Sequence, residues 1–381
     1  MRILVSGMIA AVPHHGGATW AVLQYLLGFR RLGHEVVFVE QVEPSALRPG
    51  GATIGDSENA AYMRDVAARF GLDRSWSLLL AGTRETAGLS HEALRAAARE
   101  ADLLVNISGI LTDEDLMGSV PVKVYLDLDP AFNQLWHAQG IDMRFGGHDR
   151  FVTVGQAIGT PTCPVPTSGL DWIPTVPPVV MEEWSAAAPG RGEAFTTIGN
   201  WRGYGSVEQD GVKYGQKAHS MRDLMALPTR TDADFVLALD IHPDEQSDLE
   251  QLDRNRWRIV DPARVAATPD TYRDFIAGSL AEFGVAKSGY VLSRCGWFSD
   301  RSACYLATGK PVLAQDTAFD RFLPAGEGLL SFSDEDAALA GVERIRSDLD
   351  AHARAARELA EERLDSDKVL TTFLERVGSG L

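Results

Sequence analysis

Short apolar runs alternate with amphipathic stretches along most of this chain. The first run spans residues 2–8 (RILVSGM), a stretch with helical spacing follows at 17–33, and a second apolar run, EVVFVE, covers 35–40. A strand, a helix and a strand in this order are typical of a parallel βαβ unit. The pattern therefore predicts a parallel sheet at the start of the chain.

The same alternation continues to residue 154 and predicts an α/β domain. Further elements of this domain are expected as helices near 57–70 and at 91–100, and as strands at 102–107, 122–128 and 150–154.

The texture changes between residues 161 and 192, where seven prolines occur. Proline disfavours helix and fits an extended connector. We therefore place a domain boundary within this segment, with a first domain at 1–180 and a second at 181–363.

A second α/β alternation follows the connector and predicts a second parallel-sheet domain. Ligands of such folds bind at the carboxyl ends of strands and, with two domains, in the cleft between them. The expected strands are 194–200, 235–241, 257–262, 289–293 and 311–315. One helix is expected to begin after Gln216, and four more are expected at 270–283, 301–308, 333–347 and 349–377, the last with a break near Asp365–Ser366.

Composition narrows the partners. The net charge of −17 argues against nucleic acid, whose phosphates need a basic surface. Three scattered cysteines indicate reduced thiols and a cytoplasmic protein. The apolar N-terminus is better explained as a buried strand than as a signal peptide, and no apolar stretch is long enough to span a bilayer.

One stretch, SRCGWFSDRSACYLATGKPVLAQDT (293–317), concentrates polar groups at a predicted helix start. Ser299 or Asp300 can cap the helix, whose first N–H groups then favour an anion such as a diphosphate. Arg301 and Ser302 would add donors, and Asp300 can accept from a sugar hydroxyl. A capped helix with a glycine stop in any α/β protein is the plainer alternative.

This stretch resembles the nucleotide-sugar donor region of GT-B glycosyltransferases, the plant-type UDP-glycosyltransferases in particular. Arg294 stands where that motif has a histidine, and Gln315-Asp316 reverses its final pair. Retaining members carry two glutamates eight residues apart, but the corresponding positions here are Gly296 and Cys304. The residues that match in kind are Cys295, Gly296, Trp297, Gly309 and Pro311.

The N-terminal half is also similar to GT-B acceptor domains, through Gly16-Gly17 before a helix and Leu32–Val36 (LGHEV). The resemblance implies two Rossmann-like parallel-sheet domains facing a cleft, and C-terminal helices, with residues 364–381 last, that cross back to the first domain. It implies donor binding by Gly16, Gly17, Asn200, Arg202, Lys217, Arg294, Gly296, Trp297, Ser299, Asp300, Arg301, Ser302, Gln315 and Asp316.

The resemblance also implies a catalytic base in the loop after the first strand. His14 and His15 occupy that loop, and Asp127 or Asp129, at the end of strand 122–128, would orient the imidazole. Two histidines in solvent are the alternative. Asp127-x-Asp129 also reads as a DxD metal motif, which belongs to a different glycosyltransferase fold.

Glycines 199, 203 and 205 follow the second domain's first strand, where the resembled enzymes approach the donor phosphates. Arg202 is the first choice for a diphosphate cation, with Lys217 and His219 nearby, although a merely flexible glycine loop fits equally. Trp257 is expected in the core, while Lys287, Ser288 and Tyr290 are candidate contacts of the base or ribose.

We therefore expect a cytoplasmic glycosyltransferase, metal-independent and without a cofactor, that moves a sugar from a nucleoside-diphosphate sugar to a small-molecule or glycan acceptor. Inversion is favoured by the missing acidic pair and the loop histidines. A dinucleotide oxidoreductase fails because no Gly lies between Gly7 and Gly16, although Glu40 ends the second strand. A hydrolysing sugar-nucleotide 2-epimerase and a silent sugar-nucleotide-binding protein remain alternatives, and the oligomeric state stays open between monomer and homodimer.

Overall fold

The computed structural model describes residues 1–186 and 192–378, so part of the proline-rich connector and the last three residues lie outside the described residues. Buried apolar runs form the strands of the first sheet, as in RILVS, where every residue after the first is buried. These strands are β1 (Arg2–Ser6), β2 (Glu35–Val42), β3 (Trp76–Leu80), β4 (Thr86–Gly88), β5 (Leu103–Ile107), β6 (Lys123–Asp127), β7 (Arg150–Thr153) and β8 (Trp172–Pro174).

The strand order across this sheet is β4-β3-β2-β1-β5-β6-β7-β8. All neighbours pair in parallel except β3 and β4. The helices between these strands are α1 (Gly16–Arg31), α2 (Glu58–Arg69), α3 (His91–Glu100), α4 (Glu114–Met117) and α5 (Phe132–Ala138), with a 3-10 turn at Pro44–Ala46.

The second sheet is wholly parallel in the described residues. The strands of the second half are β9 (Ala194–Asn200), β10 (Val207–Gln209), β11 (Val212–Tyr214), β12 (Asp234–Asp240), β13 (Arg258–Val260), β14 (Ala281–Gly284), β15 (Val312–Gln315) and β16 (Leu329–Phe332). The sheet order is β13-β12-β9-β14-β15-β16, and β10 and β11 form a separate antiparallel hairpin.

The order of this sheet reverses between β9 and β14, because successive strands are added first on one side of β9 and then on the other. Such a switch point opens a crevice at the carboxyl ends of the two strands. The helices of this half are α6 (Lys217–Arg222), α7 (Gln246–Arg254), α8 (Pro262–Val265), α9 (Pro269–Ala277), α10 (Ser288–Ser293), α11 (Asp300–Ala307), α12 (Glu335–Ser347), α13 (Leu349–Arg363) and α14 (Ser366–Gly378), with 3-10 turns at Leu227–Thr229 and Phe319–Arg321.

The predicted class, two Rossmann-like parallel-sheet domains with C-terminal helices, is confirmed. Two element predictions are wrong. The segment 289–293, expected as a strand, lies in helix α10, and the end of the expected helix 270–283 is strand β14. The place beside β9 is taken by β14, whose Glu282 pairs with Thr196, and Gly278 ends α9 just before it. Strands β3 and β4 were not predicted, and β8 lies inside the expected connector.

The two domains contact each other on both sides of the cleft. On one side the first turns of α1 meet the α8–α9 segment, where the Gly16 N–H donates to the Ala266 carbonyl and the Trp20 indole to that of Pro269, both at 2.9 Å. On the other side a buried cluster joins Phe132 and Trp172 of the first domain to residues such as Tyr290 of the second. The cleft is therefore held between two packed interfaces.

Helix α14, which follows the second domain, packs against α1 of the first domain. In this contact Leu370 lies against Gly28, and the Phe29 and Phe373 ring centroids are 5.9 Å apart. A methyl group at Gly28 would lie 2.4 Å from a Leu370 carbon, so the close approach requires glycine there. Within the described residues no helix is long and apolar enough to cross a membrane.

Candidate functional site

Two adjoining cavities lie between the domains and form one cleft. The first, about 400 Å³, is lined by His14 and His15 of the first domain and by Asp240 and Asp261 of the second, and is called the histidine cavity here. The second, about 590 Å³, contains Lys217 and is called the lysine cavity. Both are bordered by the same residues at their junction, which are Ala18, Gly199, Asn200, Asp300 and Arg301.

The junction lies at the switch point of the second sheet. Gly199 and Asn200 end β9, and Arg301 lies in the first turn of α11, which leads to β15. The Ser299 hydroxyl caps α11 by accepting from the Arg301 N–H at 3.2 Å. The predicted capped helix start is therefore present and faces the cleft, where its dipole favours an anion.

Arg301 is held by a buried ion pair. Its Nε donates to Glu282 at 2.6 Å and its Nη1 to the Ile198 carbonyl at 2.9 Å. Glu282 is fully buried in β14, and its second carboxylate oxygen has no hydrogen-bond partner in the described residues. The guanidinium thus has a fixed position at the cleft junction while part of it remains accessible.

Lys217 brings a second cation to this point. Its side chain is buried beneath Gly199, and its ammonium donates to the Val285 carbonyl at 2.6 Å. Burial lowers the pKa of Lys217 well below its usual range, and the neighbouring Arg301 lowers it further. An anion entering the lysine cavity would favour the charged form, because it would supply the partner that burial removes.

Asp300 borders both cavities. Its carboxyl is accessible from the cleft, yet the surrounding protein raises its pKa and the adjacent Arg301 opposes that rise. Asp300 therefore lies beside the space into which a ligand bound by Arg301 would extend in either cavity.

His14 is positioned by more than its loop. Its Nε2 lies 2.9 Å from a carboxylate oxygen of Glu58 at the start of α2, and its ring packs edge-on against Tyr62 with centroids 5.1 Å apart. Its φ of 65° lies in the left-handed region, which costs free energy for a residue other than glycine and is concentrated at functional sites. His15 is exposed, and partial desolvation by the surrounding protein lowers its pKa.

Asp127 does not contact either histidine, contrary to the prediction that it could orient the imidazole. Its carboxylate is fully buried and accepts hydrogen bonds from Asn133, Gln134 and Thr153 at 2.6, 2.7 and 2.8 Å, all within the first domain. Burial raises the pKa of Asp127 to about 6 despite these bonds. The Asp127 carboxylate is thus occupied by first-domain partners, and the carboxylate beside His14 is that of Glu58.

Asp129 does reach the cleft, where it lines the lysine cavity. There it forms an ion pair with Lys287 at 3.1 Å and accepts a short hydrogen bond from Tyr290, both from the second domain. The Lys287 ammonium also lies 4.0 Å from the centroid of the Tyr204 ring. Asp129 therefore links the domains and does not contact either histidine.

Several predicted donor contacts line neither cavity. The Arg202 guanidinium forms an exposed ion pair with Glu245, and Arg294 pairs with Asp316 at 3.2 Å. The Gln315 side chain accepts from the Ala286 N–H at 3.2 Å. Ser302 is buried and Gly296 occupies a turn with φ of 75°.

The geometry brings together a subset of the predicted residues and adds two others. Glu58 and Glu282 belong to no local motif. Their partners, His14 and Arg301, are 44 and 19 residues away in sequence, so no sequence signal pointed to them.

Trp257 lies in the core, as expected, and its indole N–H donates to the Met225 carbonyl. In the described residues no group of three or more His, Cys, Asp or Glu side chains could hold a metal ion. The predicted residues in the cleft are His14, His15, Gly16, Gly17, Asp129, Gly199, Asn200, Gly203, Lys217, Lys287, Tyr290, Trp297, Ser299, Asp300 and Arg301.

The fold is similar to solved glycosyltransferases over the full chain. An alpha-glucosyltransferase in complex with UDP and a 13-mer DNA with a central A:G mismatch has a TM-score of 0.62 at 13% identity, covering 100% of both chains. Anabaena Alr3699/HepE in complex with UDP and glucose has a TM-score of 0.58 at 12% identity, again over 100% of both chains. AviGT4, a glycosyltransferase of avilamycin A biosynthesis, has a TM-score of 0.54 at 14% identity, covering 99% of this chain and 97% of its own.

No protein-family model matches the sequence, and a search of curated proteins finds no match either. At these identities the similarity establishes the architecture. The chain has the GT-B fold, in which two Rossmann-like domains face a cleft.

Proposed function

We propose that this protein is a metal-independent glycosyltransferase that moves a sugar from a nucleoside-diphosphate sugar to an acceptor hydroxyl with inversion. The observation that carries the proposal is the pair of cations, Lys217 and Arg301, at the switch point of the second sheet inside a GT-B cleft. UDP is the first candidate for the nucleotide, because several structures with this fold contain it.

The donor diphosphate fits the junction of the two cavities. Lys217 and Arg301 bring two cations to the junction, and the start of α11 adds its dipole. Of the two carboxylates nearby, Glu282 is buried behind Arg301, while Asp300 faces the cleft. Preorganised charge of this kind stabilises a leaving diphosphate without reorganisation during the reaction. Asn200, at the end of β9, and Asp300 would contact the sugar or ribose hydroxyls at the same junction.

His14 is our candidate for the catalytic base. In the proposed step His14 takes the proton from the acceptor hydroxyl, the acceptor oxygen bonds to the sugar C1, and the C1–oxygen bond to the diphosphate breaks. The Glu58 carboxylate would hold the imidazole and stabilise its charged form. His15 lacks a carboxylate at hydrogen-bond distance in the described residues, which favours His14.

Inversion is supported by the residues available near C1. The positions of the paired glutamates of retaining relatives are Gly296 and the buried Cys304, while His14, paired with Glu58, lines the cleft. The anomeric configuration of the product, measured by proton NMR before it equilibrates, tests this. A product with the configuration of the donor would contradict inversion and direct attention to Asp300.

Donor binding tests the proposal most directly. We expect one nucleoside diphosphate among UDP, GDP and TDP to raise the melting temperature, because a ligand of the folded state stabilises it, and CMP and NAD to have no effect. The Lys217→Met variant should lose that shift. A shift with NAD, or with none of the five, would overturn the proposal.

Turnover separates the remaining alternatives. Release of the nucleotide with a new glycoside supports transfer, conversion of the donor sugar into its 2-epimer would indicate the epimerase, and binding without either would indicate a silent binding protein. Activity retained in EDTA is expected, because Asp127 is enclosed by amides and cannot serve in a DxD metal site. The three free cysteines fit the proposed cytoplasmic location.

A further inference from the structure

The two walls of the lysine cavity differ in chemistry. The second domain supplies polar groups such as Gln216, Lys217 and Arg301. Among the described residues that line the first-domain wall, Asp129 carries the only charge. The rest of that wall is largely aliphatic, with contributions from Met8, Ala21, Val22, Ile107, Ile110 and Leu128.

The aliphatic wall continues into a smaller cavity of about 170 Å³, called the apolar slot here. Ala21, Leu128, Trp297 and Asp300 border both the slot and the lysine cavity, so the two spaces adjoin. The rest of the slot is enclosed by Gln24, Tyr25, Val154, Pro177, Pro178 and Phe298. The Gln24 amide is already hydrogen-bonded, since its oxygen accepts from the Val180 N–H at 2.8 Å. An apolar group that starts in the lysine cavity can therefore extend into the slot.

The slot carries one unsatisfied polar group. Tyr25 lines it and is 2% exposed, and its hydroxyl has no hydrogen-bond partner among the residues that the structure describes. A buried hydroxyl without a partner costs free energy, and most such groups in proteins are satisfied by protein, water or ligand. This hydroxyl marks a point where a bound molecule would gain a hydrogen bond.

We propose that the acceptor is a neutral, mostly apolar molecule whose body lies along the first-domain wall and whose far end, inserted in the apolar slot, carries a polar atom that bonds to Tyr25. This inference rests on the proposed function and adds the acceptor class to it. The hydroxyl that receives the sugar lies at the opposite end, toward Gly199 and Asn200 at the junction with the histidine cavity, which His14 lines. A glycan would leave its hydroxyls unpaired against the aliphatic wall, and DNA would find no cations there.

Binding of a matched set of probes tests the inference. The probe is 2,6-dihydroxynaphthalene, a planar neutral molecule with hydroxyls at both ends, titrated calorimetrically into the full-length protein with UDP present. Its comparators are 2-naphthol, which has one hydroxyl, maltotriose and a 13-base-pair DNA duplex. We expect the diol to bind and maltotriose and DNA not to bind.

Two variants connect the binding to the slot. Ala21→Leu fills the opening between the lysine cavity and the slot and should weaken the diol by about tenfold. Tyr25→Phe removes only the unpartnered hydroxyl and should weaken the diol by roughly three- to tenfold, while 2-naphthol is affected less. Ala68→Leu, on the exposed face of α2, is the matched control and should change neither.

The outcomes separate this inference from the proposed function. UDP affinity, measured alone in every variant, reports on the donor site and should stay unchanged. If UDP binds but the diol does not, if maltotriose or DNA binds, or if Ala21→Leu leaves diol affinity intact, the apolar acceptor is ruled out. If none of UDP, GDP and TDP binds, the proposed function fails, whatever the diol does.

Discussion

The two walls of the cleft achieve their arrangements by different means. On the second-domain wall, charged groups are buried and locked, as in the Arg301–Glu282 pair and the enclosed Lys217. On the first-domain wall, His14 with its partner Glu58, both about half exposed, and Asp129 lie beside a largely aliphatic surface. The difference teaches that the second-domain wall has fixed cations that suit an anion, whereas most of the first-domain wall offers apolar contact. Under the proposed function these would be the nucleotide side and the acceptor side of the cleft.

The largest effect that would break this comparison is expected from His14→Ala. If the first-domain wall supplies the base, turnover should fall by about 10²- to 10⁴-fold. The measurement is the rate at which the nucleoside diphosphate is released from its sugar donor in the presence of acceptor. The nucleotide of the donor is the one that raises the melting temperature. UDP affinity should remain the same, since His14 lies outside the cation pair.

Two neighbouring variants serve as controls for that result. Glu58→Gln should lower turnover by less, because the imidazole remains, and His15→Ala should lower it least. Unimpaired transfer by the double variant His14→Ala/His15→Ala would remove the base from the first-domain wall altogether.

The next largest effect concerns the locked ion pair. Arg301→Leu leaves Glu282 buried without its partner and should lower the free energy of unfolding by about 3–5 kcal/mol, measured by urea denaturation. The double variant Arg301→Leu/Glu282→Leu should recover most of that stability, because no unpaired charge remains, but should still bind UDP poorly. UDP binding at wild-type strength in the double variant would show that the wall does not act through Arg301.

A smaller effect is expected from Lys217→Met. Loss of the ammonium should weaken UDP by roughly 10- to 100-fold, as for hydrogen bonds to a charged group. The melting temperature without ligand should stay the same or rise, because a buried charge is no longer required.

The pH dependence of UDP binding sharpens this point. Burial lowers the pKa of Lys217, so the ammonium is lost at a lower pH than for an ordinary lysine. Since the charged form binds the diphosphate, UDP affinity should fall as pH rises through that lowered pKa, and binding in that range should take up a proton. Calorimetry in buffers of different ionisation enthalpy measures the uptake, which Lys217→Met should abolish.

The smallest effect concerns the buried Asp127 of the first domain. Asp127→Asn should cost about 1–3 kcal/mol of stability at neutral pH, because an amide cannot accept all the hydrogen bonds that the carboxylate accepts. UDP affinity should not change. A loss of UDP binding without a loss of stability would place Asp127 in the site after all.

The sign of the pH effect follows from the raised pKa of Asp127. Between its unfolded value of 3.8 and about 6, the folded state binds more protons than the unfolded state. This group's contribution to stability is therefore complete below pH 3.8 and is lost as pH rises through about 6. The Asn variant should lack that part of the slope in urea titrations at pH 4 to 7.

The fold could be predicted from the sequence because periodicity reports burial directly. Strand β1 and helix α1 follow from RILVS and the spacing after it, and the break between α13 and α14 lies where Asp365–Ser366 indicated. Periodicity failed for short elements. The apolar residues of GYVLS suit a strand or a buried helix equally, and only the pairing of β14 with β9 decides between them.

The site could be predicted only where position along one strand or helix determines it. The cleft locations of Asn200, Asp300 and Arg301 follow from their places at a strand end and a helix start. Partners distant in sequence were missed, as Glu58 is for His14. Arg202 was chosen for its glycine-rich loop, but Glu245, 43 residues away, pairs with it outside the cleft. A loop sequence contains no information about the direction in which its arginine points.

The return of α14 to α1 has a consequence for synthesis on the ribosome. The Val179 N–H donates to the Leu364 carbonyl at 2.7 Å, the Ser366 N–H donates to the Val179 carbonyl at 2.8 Å, and Arg31 pairs with Asp367. The first domain therefore lacks one of its packing partners until residues 366–378 have emerged. During synthesis, the face of α1 that α14 covers stays exposed while the second domain is translated, because the second domain lies between α1 and α14 in the sequence.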